Sequence, residues 1–376
     1  MPPRSRGWTI GRLAGAPVIL TRSWFLAALV LTLLFAPTVR SVAPLLEMAG
    51  VLVVSFSFVL LLFGSVFCHE AAHALVARAR GYRVDELALT LWGGHTAYSG
   101  SDRRPGDSAL VAVVGPLTNL ALAGVFWLVF SAQDQMSVPA LLLYAGAFSN
   151  AFVGLFNLVP GLPLDGGQVL ASAVWSATGS RPTGTLVAGW AGRVVGVGIV
   201  AVAVAWPLLQ GRQASIFTVM WAALIGAFLW SGAGEAIRSS RRQERVDRLD
   251  VRSLATAAVV VPAGSGVDVA ARAVAGRGES AVVVVDADGV PVGWVDARAA
   301  AAVPPDQAAV TLVDAVLVPF AAGSAVQVHD AGPQLLDHLA RTSGGARVVP
   351  VLDGGRVTGV LDVARVAAAI RPPGRT

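Results

Sequence analysis

Long apolar runs alternate with short polar segments up to about residue 240 of the chain. Each run has roughly the 20 residues that a helix needs to cross a bilayer. The runs cover residues 22–39, 50–77, 108–131, 138–160, 185–208 and 214–237. The first lacks the small-residue cleavage site of a signal peptide, so we expect it to be retained. The pattern predicts an α-helical polytopic membrane protein with about six transmembrane helices.

Beyond residue 240 the apolar runs shorten to strand length and the pattern repeats. The segments "ESAVVVVDADGVPVGWVD" (279–296) and "GARVVPVLDGGRVTGVLD" (345–362) each contain an apolar strand, a turn with Asp and Gly, and a second strand. A predicted helix precedes each segment and another follows it, which gives a period of about 66 residues. The sequence therefore predicts a membrane domain over 1–240 and a soluble α/β domain over 241–376, with repeats at 251–302 and 308–370.

Composition and charge agree with a membrane protein. The chain of 376 residues is 55% hydrophobic and 14% charged, with a net charge of +5. Its cations are all arginine, and most flank the apolar runs on one side: Arg4, Arg6, Arg12, Arg78, Arg80, Arg83, Arg103, Arg104, Arg238, Arg241, Arg242, Arg245 and Arg248. The opposite loops hold only Arg40 and Arg212. This asymmetry predicts a multi-pass protein of the plasma membrane with both termini in the cytoplasm. It does not indicate nucleic-acid binding.

The single cysteine, Cys68, excludes an internal disulfide and a cysteine-rich metal site. It precedes a histidine within the second apolar run. We expect it to be a small buried packing residue.

The stretch "FCHEAAHAL" (67–75) places ionisable residues at the end of the second apolar run. Residues four apart share a helix face, so His69 and His73 can hold one metal ion. Imidazole suits zinc, and Glu70 between them can take a proton from water. The alternative is a pair of buried, hydrogen-bonded histidines with a surface glutamate. An unpaired Glu70 in lipid would cost several kcal/mol, so the motif predicts zinc and a hydrolytic reaction.

A third ligand is expected in "NLVPGLPLDGGQVL" (157–170), because catalytic zinc usually has three protein ligands. The prolines and glycines interrupt helix, and irregular backbone at membrane depth is tolerated only where it is buried or lines a wet cavity. Asp165 is the candidate ligand; alternatively it is an ordinary turn aspartate. Asn157 could donate to a developing oxyanion, or it could cap the end of the fourth run.

The pair of motifs "HEAAH" and "NLVPGLPLDGG" resembles the site-2 protease family of zinc intramembrane metalloproteases. Further matches are "IGRLAGAPVILTRSW" before the first run and "VGPLTN" (114–119) in the third. The resemblance implies one zinc ion bound by His69, His73 and Asp165, with Glu70 as general base and later acid and Asn157 as the residue that stabilises the tetrahedral intermediate. It leaves the role of Asn119 open between structure and catalysis.

The segment "ELALTLWGGHTAYSG" (86–100) alternates apolar and polar residues around Gly93 and Gly94, which predicts a β-hairpin. The family resemblance implies a re-entrant hairpin here. Its edge could pair with an extended substrate by strand addition, or the hairpin could be purely structural. His95 could approach or gate the zinc, although a histidine at a turn is more often an ordinary polar residue.

The last two runs are predicted to be accessory helices that shield or gate the site. Their glycine spacing allows close helix packing. Arg193 lies inside the fifth run.

The C-terminal repeat resembles a tandem pair of cystathionine-β-synthase (CBS)-type domains. Such pairs often bind adenosine nucleotides through Gly-x-x-Thr/Ser-x-x-Asp. The corresponding residues are Gly293, Asp296 and Ala299 in the first copy and Gly359, Asp362 and Arg365 in the second. An aspartate repels phosphate, and the ribose-binding carboxylate is missing from both copies. Adenine-nucleotide binding is therefore doubtful, and a ligand-free module for homodimerisation or partner docking fits the sequence at least as well.

Two functions of different classes fit these features. The first is a zinc-dependent intramembrane endopeptidase that acts on substrate helices in the lipid bilayer, with the CBS pair as a regulatory or dimerisation module. The second is a non-enzymatic membrane regulator or metal-ion carrier that uses the histidines and aspartate for binding only. Hydrolysis needs a base and binding does not, so the presence of Glu70 favours the protease.

Overall fold

The structure is a computed structural model, and it describes residues 5–90, 93–100, 104–278 and 280–371. Arg4 and Arg103, two of the flanking arginines, and Glu279, the first residue of the first repeat segment, lie outside the described residues. The chain forms two compact units, Met1–Ser240 and Arg241–Thr376. Each unit has hydrophobic clusters of its own and is described by itself.

Six helices of the described part are long and apolar enough to cross a membrane, which confirms the predicted membrane architecture. The helices, with one shorter helix between the fourth and fifth crossings, are α1 (Arg22–Val42), α2 (Met48–Ala79), α3 (Pro105–Ser131), α4 (Val138–Asn157), α5 (Asp165–Thr178), α6 (Arg181–Leu209) and α7 (Ile216–Asp247). Large apolar side chains such as Leu128 and Val194 are exposed on them. Exposed apolar side chains of this kind are suited to contact with lipid.

The short helix α5 is not predicted by the apolar pattern, because Gly166 and Gly167 stand in its first turn. Both glycines are required by close packing. A Cβ on Gly166 would overlap the carbonyl oxygen of Leu158, and one on Gly167 would overlap the backbone nitrogen of Leu162. The preceding loop is thus folded tightly over the start of α5, where Asp165 is the first helical residue.

A four-stranded sheet accompanies the helices. Its strands are β1 (Gly7–Leu13), β2 (Ala16–Thr21), β3 (Arg83–Thr90) and β4 (Gly93–Ser99), in that order across the sheet. Strands β3 and β4 are antiparallel, which confirms the predicted hairpin. However, Gly93 and Gly94 do not form its turn: they begin β4 and pair with Thr90 and Leu89. The hairpin of β1 and β2 is not predicted by the sequence analysis, and it joins β3 through a parallel pairing.

Helix α6 contacts the loop that precedes Asp165. A Cβ on Gly192 would overlap the carbonyl oxygen of Leu162. The backbone nitrogen of Leu162 also donates to the carbonyl of Ala188, 3.0 Å away. Helix α6, which is predicted from the sequence to be an accessory helix, therefore helps to hold the loop before Asp165 in place.

The prediction for Cys68 is wrong, because its side chain is exposed. It lies one residue before His69 on α2, and successive helical residues are rotated by about 100°. The side chain therefore points away from the face that carries the histidines.

The C-terminal unit is built from the predicted repeat. Its strands are β5 (Thr256–Pro262), β6 (Ala281–Val285), β7 (Pro291–Val295), β8 (Leu317–Pro319), β9 (Val326–Gln327), β10 (Val348–Asp353) and β11 (Arg356–Asp362), in the sheet order β8-β7-β6-β5-β11-β10-β9. Its helices are α8 (Val251–Leu254), α9 (Val267–Val274), α10 (Ala297–Ala301), α11 (Gly332–Thr342) and α12 (Val363–Ile370). The succession β5-α9-β6-β7-α10 recurs as β9-α11-β10-β11-α12, with parallel and then antiparallel pairing in both copies.

Candidate metal centre

The histidines of "HEAAH" lie on one buried face of α2, as their spacing predicts. Their Nε2 atoms are 3.0 Å apart. The carboxylate oxygen Oδ2 of Asp165 lies 3.0 Å from Nε2 of His69 and 3.5 Å from Nε2 of His73. The structure thus brings the three predicted ligands to one point from two separate helices, α2 and α5.

This donor set fits a zinc ion. Ligand atoms in a tetrahedral zinc site, at about 2.0–2.1 Å from the metal, are about 3.3 Å from one another, close to the separations found here. The other ring nitrogens are engaged elsewhere: Nδ1 of His73 donates to the carbonyl of Val111 at 2.6 Å, and Nδ1 of His69 donates to Oδ1 of Asn119 at 2.5 Å. These hydrogen bonds select the tautomer that leaves both Nε2 lone pairs free for a metal.

A chain of buried amides supports His69. The Nδ2 group of Asn119 donates to Oδ1 of Asn150 at 2.8 Å, and Nδ2 of Asn150 donates to the hydroxyl of Ser65 at 2.9 Å. Asn119 and Asn150 are 0% and 1% exposed, so water does not compete for these groups. The role of Asn119 is left open by the sequence, and Asn150 and Ser65 cannot be found from it, because only the packing of α2, α3 and α4 brings these residues together.

Gly115 on α3 lies directly against the histidine pair. A Cβ at this position would overlap Nε2 of His73 and would lie 2.7 Å from Nε2 of His69. The close approach of α3 therefore requires glycine here. The motif "VGPLTN" hints at this position, but its spacing alone does not locate it.

Glu70 is held by the β-hairpin. Its carboxylate Oε2 accepts a hydrogen bond of 2.7 Å from the hydroxyl of Thr96, and the same hydroxyl lies 3.2 Å from the backbone carbonyl of Glu70. A Cβ on Gly94 would overlap Cγ of Glu70. Strand β4 therefore packs closely on this glutamate, which is buried and next to the candidate ligand His69.

A cavity of about 330 Å³ opens onto these residues. The cavity is lined by His69, Glu70 and Asp165, and by Asn157, which is the last residue of α4. Phe228 of α7 also lines the cavity. The cavity therefore offers space for a peptide bond beside the candidate ligand atoms, and Asn157 lines the same space.

His95 contacts Glu86 rather than the three candidate ligands. Its Nε2 lies 3.3 Å from Oε1 of Glu86, and its side chain is 50% exposed. Burial disfavours the charged form of Glu86, but hydrogen bonds from the hydroxyl and backbone N–H of Ser5, together with His95, outweigh it and hold the pKa of this carboxyl below its usual value. These contacts fasten the N-terminal segment to the hairpin.

Comparison with known proteins gives matches for both units. The model for peptidase family M50 matches residues 57–139 and 132–203. Rip3 of Mycobacterium tuberculosis, named as a candidate zinc metalloprotease, is 31% identical over 319 residues, which cover 83% of this chain and 80% of Rip3.

Two solved structures cover the two units in turn. The site-2 protease from Methanocaldococcus jannaschii is 23% identical and covers 61% of this chain and 94% of its own, with a TM-score of 0.42. The CBS domain of a membrane protein from Sphaerobacter thermophilus is 16% identical and covers 36% of this chain and 96% of its own, with a TM-score of 0.28.

Proposed function

The chain belongs to peptidase family M50, and from this membership we propose that it is a zinc-dependent endopeptidase that hydrolyses peptide bonds in or near the transmembrane segments of other membrane proteins. The main support for this proposal is that His69, His73 and Asp165 converge beside Glu70 within a unit of six membrane-crossing helices.

The residues divide the reaction between them. Zinc bound by His69, His73 and Asp165 would polarise the scissile carbonyl and lower the pKa of its water to about 7. Glu70 takes the proton of the attacking water and later delivers it to the leaving amine. Asn157 donates its amide N–H to the developing oxyanion.

The substrate helix has to be unwound before its backbone can reach the cavity, and the freed N–H and C=O groups then need partners. Strand β4 is the last strand of its sheet in the described part of the chain, so one of its edges has no strand beside it. The same strand packs on Glu70 through Gly94 and Thr96. Strand addition at this edge would hold an extended substrate next to the general base.

The charge pattern supports a site near the cytoplasmic face of the plasma membrane, with both termini in the cytoplasm. His73 precedes the flanking Arg78 by little more than one helical turn. Water can therefore reach the cavity from that side without crossing the bilayer core.

The C-terminal unit supports regulation or homodimerisation better than nucleotide binding. In the first repeat, Oδ1 of Asp296 accepts from the backbone N–H groups of Arg298 and Ala299 at the start of α10. In the second, Oδ1 of Asp362 accepts from the N–H of Ala364 at the start of α12. These carboxylates occupy the donors that a phosphate would need, and they repel it.

The proposed function is tested by comparing the membrane proteomes of cells that carry the wild type or Glu70→Gln. We expect intact single-span substrates to accumulate in the variant, because hydrolysis lacks its base while the metal ligands remain. Glu47→Gln, an exposed change at the start of the same helix, is the matched control. Turnover by Glu70→Gln at the wild-type rate would rule out the mechanism.

A further inference from the structure

Arg193 is a cation inside a membrane-crossing helix, α6. Its guanidinium group lies between the rings of Trp190 and Trp230, 4.8 Å from each ring centroid. Aromatic faces stabilise the charge, but they do not accept hydrogen bonds in the plane of the guanidinium group. Its Nε atom is buried and has no hydrogen-bond partner among the described residues. An ionisable residue in such a place usually marks a functional site.

A second guanidinium group approaches the same point from α7. Nη2 of Arg193 and Nη1 of Arg238 each lie 3.4 Å from the position that a Cβ on Gly234 would take. The neighbouring carboxylate, Glu235, is paired with Arg238 at 2.8 Å. Among the described residues Arg193 has no ion-pair partner, so the group as a whole carries an excess positive charge.

The sequence places the Arg238 side of the cluster at the end of the last apolar run, which indicates a position near a membrane interface. Arg238 begins the basic run "RSSRRQERVDR" that follows the last apolar segment, and Gly234 is one helical turn before it. The Cα of Arg193 is deeper, but its long side chain reaches the level of Gly234. Tryptophan is enriched at the level of lipid headgroups, which matches the positions of Trp190 and Trp230.

An apolar groove begins at this cluster. It has a volume of about 560 Å³, and Trp230, which stacks on Arg193, is one of its walls. The other walls are Gly196, Val197, Val200, Ala201, Gly226 and Ala227 of α6 and α7. Its size lies within the range of ligand pockets, about 300–1,000 Å³. A charged end joined to an apolar groove is complementary to an anionic headgroup joined to an acyl chain.

We propose that helices α6 and α7 form a binding site for an anionic glycerophospholipid. Arg193 and Arg238 hold the phosphodiester between the two tryptophans, and one acyl chain lies in the groove. Guanidinium binds phosphate through paired hydrogen bonds, and here the terminal Nη groups of Arg193 and Arg238, which converge beside Gly234, would donate them. The residue before Arg193, Gly192, packs on Leu162 in the loop that leads to Asp165, so the lipid would brace the helix that supports this loop.

The test uses the purified full chain in nanodiscs of phosphatidylcholine, with or without phosphatidylglycerol. Retained lipid is identified by native mass spectrometry after mild detergent extraction. We expect the wild type to retain phosphatidylglycerol over phosphatidylcholine, because choline is repelled by the arginines. Arg193→Gln should reduce this preference at least about fivefold, which corresponds to about 1 kcal/mol for one arginine near the membrane surface. Arg238→Gln should reduce it less, since Glu235 already shares that charge.

Two further variants keep the test decisive. Arg212→Gln removes an arginine from the loop at the opposite end of α6 and should retain the full preference. Arg193→Lys keeps the positive charge and serves as a second test if Arg193→Gln does not fold. It should give an intermediate preference for phosphatidylglycerol, because lysine cannot make the paired hydrogen bonds. Equal phosphatidylglycerol retention in Arg193→Gln, Arg193→Lys and Arg212→Gln would overturn the proposal. The proposal would also be overturned if inorganic phosphate alone abolished the preference for phosphatidylglycerol. It would likewise be overturned if a second copy of the chain, and not lipid, occupied the groove.

Discussion

The hydroxyl of Thr96 on β4 donates a hydrogen bond of 2.7 Å to Oε2 of Glu70 on α2. This contact fixes the carboxylate that we propose as general base, so Thr96→Val should lower kcat while KM and zinc content stay unchanged. A hydrogen bond to a charged group contributes about 1.5–3 kcal/mol, which predicts a loss of about tenfold or more. Initial rates on a reconstituted substrate helix give kcat and KM.

Two further variants distinguish the loss of the Thr96 hydroxyl from general damage to the fold. Thr96→Ser keeps the hydroxyl and should restore most of the rate. Thr118→Val makes the same change on α3, where, among the described residues, the hydroxyl bonds only to the Val114 carbonyl of its own helix. This variant should keep a rate near that of the wild type. A slow Thr96→Ser enzyme would contradict a role for the hydroxyl.

Gly115→Ala should remove the metal while leaving the helices in place. The new methyl group would overlap Nε2 of His73 and crowd that of His69, so the two imidazoles cannot keep their separation. Gly124→Ala is the matched control on the same helix, because a Cβ there meets no atom within 4 Å. Zinc content per chain, measured by elemental analysis, should fall in Gly115→Ala and stay at the wild-type level in Gly124→Ala. Equal zinc in both variants would contradict the close packing of α3 on His69 and His73.

Asn119→Ala should weaken zinc binding about 10- to 100-fold, as expected when the hydrogen-bond partner of a metal-ligating histidine is lost. The amide oxygen Oδ1 of Asn119 accepts a hydrogen bond from Nδ1–H of His69 and so orients that ring. Asn150→Ala should have a smaller effect, since Asn150 acts on His69 only through Asn119. Competition titration against a zinc chelator measures both affinities. An affinity unchanged by Asn119→Ala would assign this residue to packing alone.

The full chain should show no saturable binding of AMP or ATP with Kd below about 1 mM. The carboxylates of Asp296 and Asp362 accept the backbone N–H groups at the starts of α10 and α12, so an incoming phosphate meets a negative charge in place of free donors. Isothermal titration with each nucleotide checks this expectation. A saturable binding heat with either nucleotide would mean that the carboxylates of Asp296 and Asp362 release these backbone N–H groups.

Features set by local pattern could be predicted from the sequence. The six crossings follow from the length of the apolar runs, and the shared face of His69 and His73 follows from helical periodicity. Asp165 stands out because prolines and glycines interrupt its segment. These inferences need no knowledge of how distant segments pack.

Features set by tertiary packing could not be predicted. Thr96 meets Glu70 only because β4 lies on α2, and Asn150 reaches Asn119 only because α4 lies beside α3. Helix α5 is not evident from the sequence, because Gly166 and Gly167 in its first turn disfavour a helix. Close contact with the preceding loop requires these glycines. Cys68 appears as an apolar core residue by type, yet its helix turns it outward.

The proposed zinc site is tested by the zinc content of ligand and base variants of the purified full chain. Elemental analysis should find about one zinc ion per chain in the wild type and in Glu70→Gln, because the glutamate is not a ligand. Asp165→Ala should lose most of it, since only His69 and His73 remain. Full zinc occupancy in Asp165→Ala, or a wild-type chain without stoichiometric zinc, would contradict zinc binding by His69, His73 and Asp165.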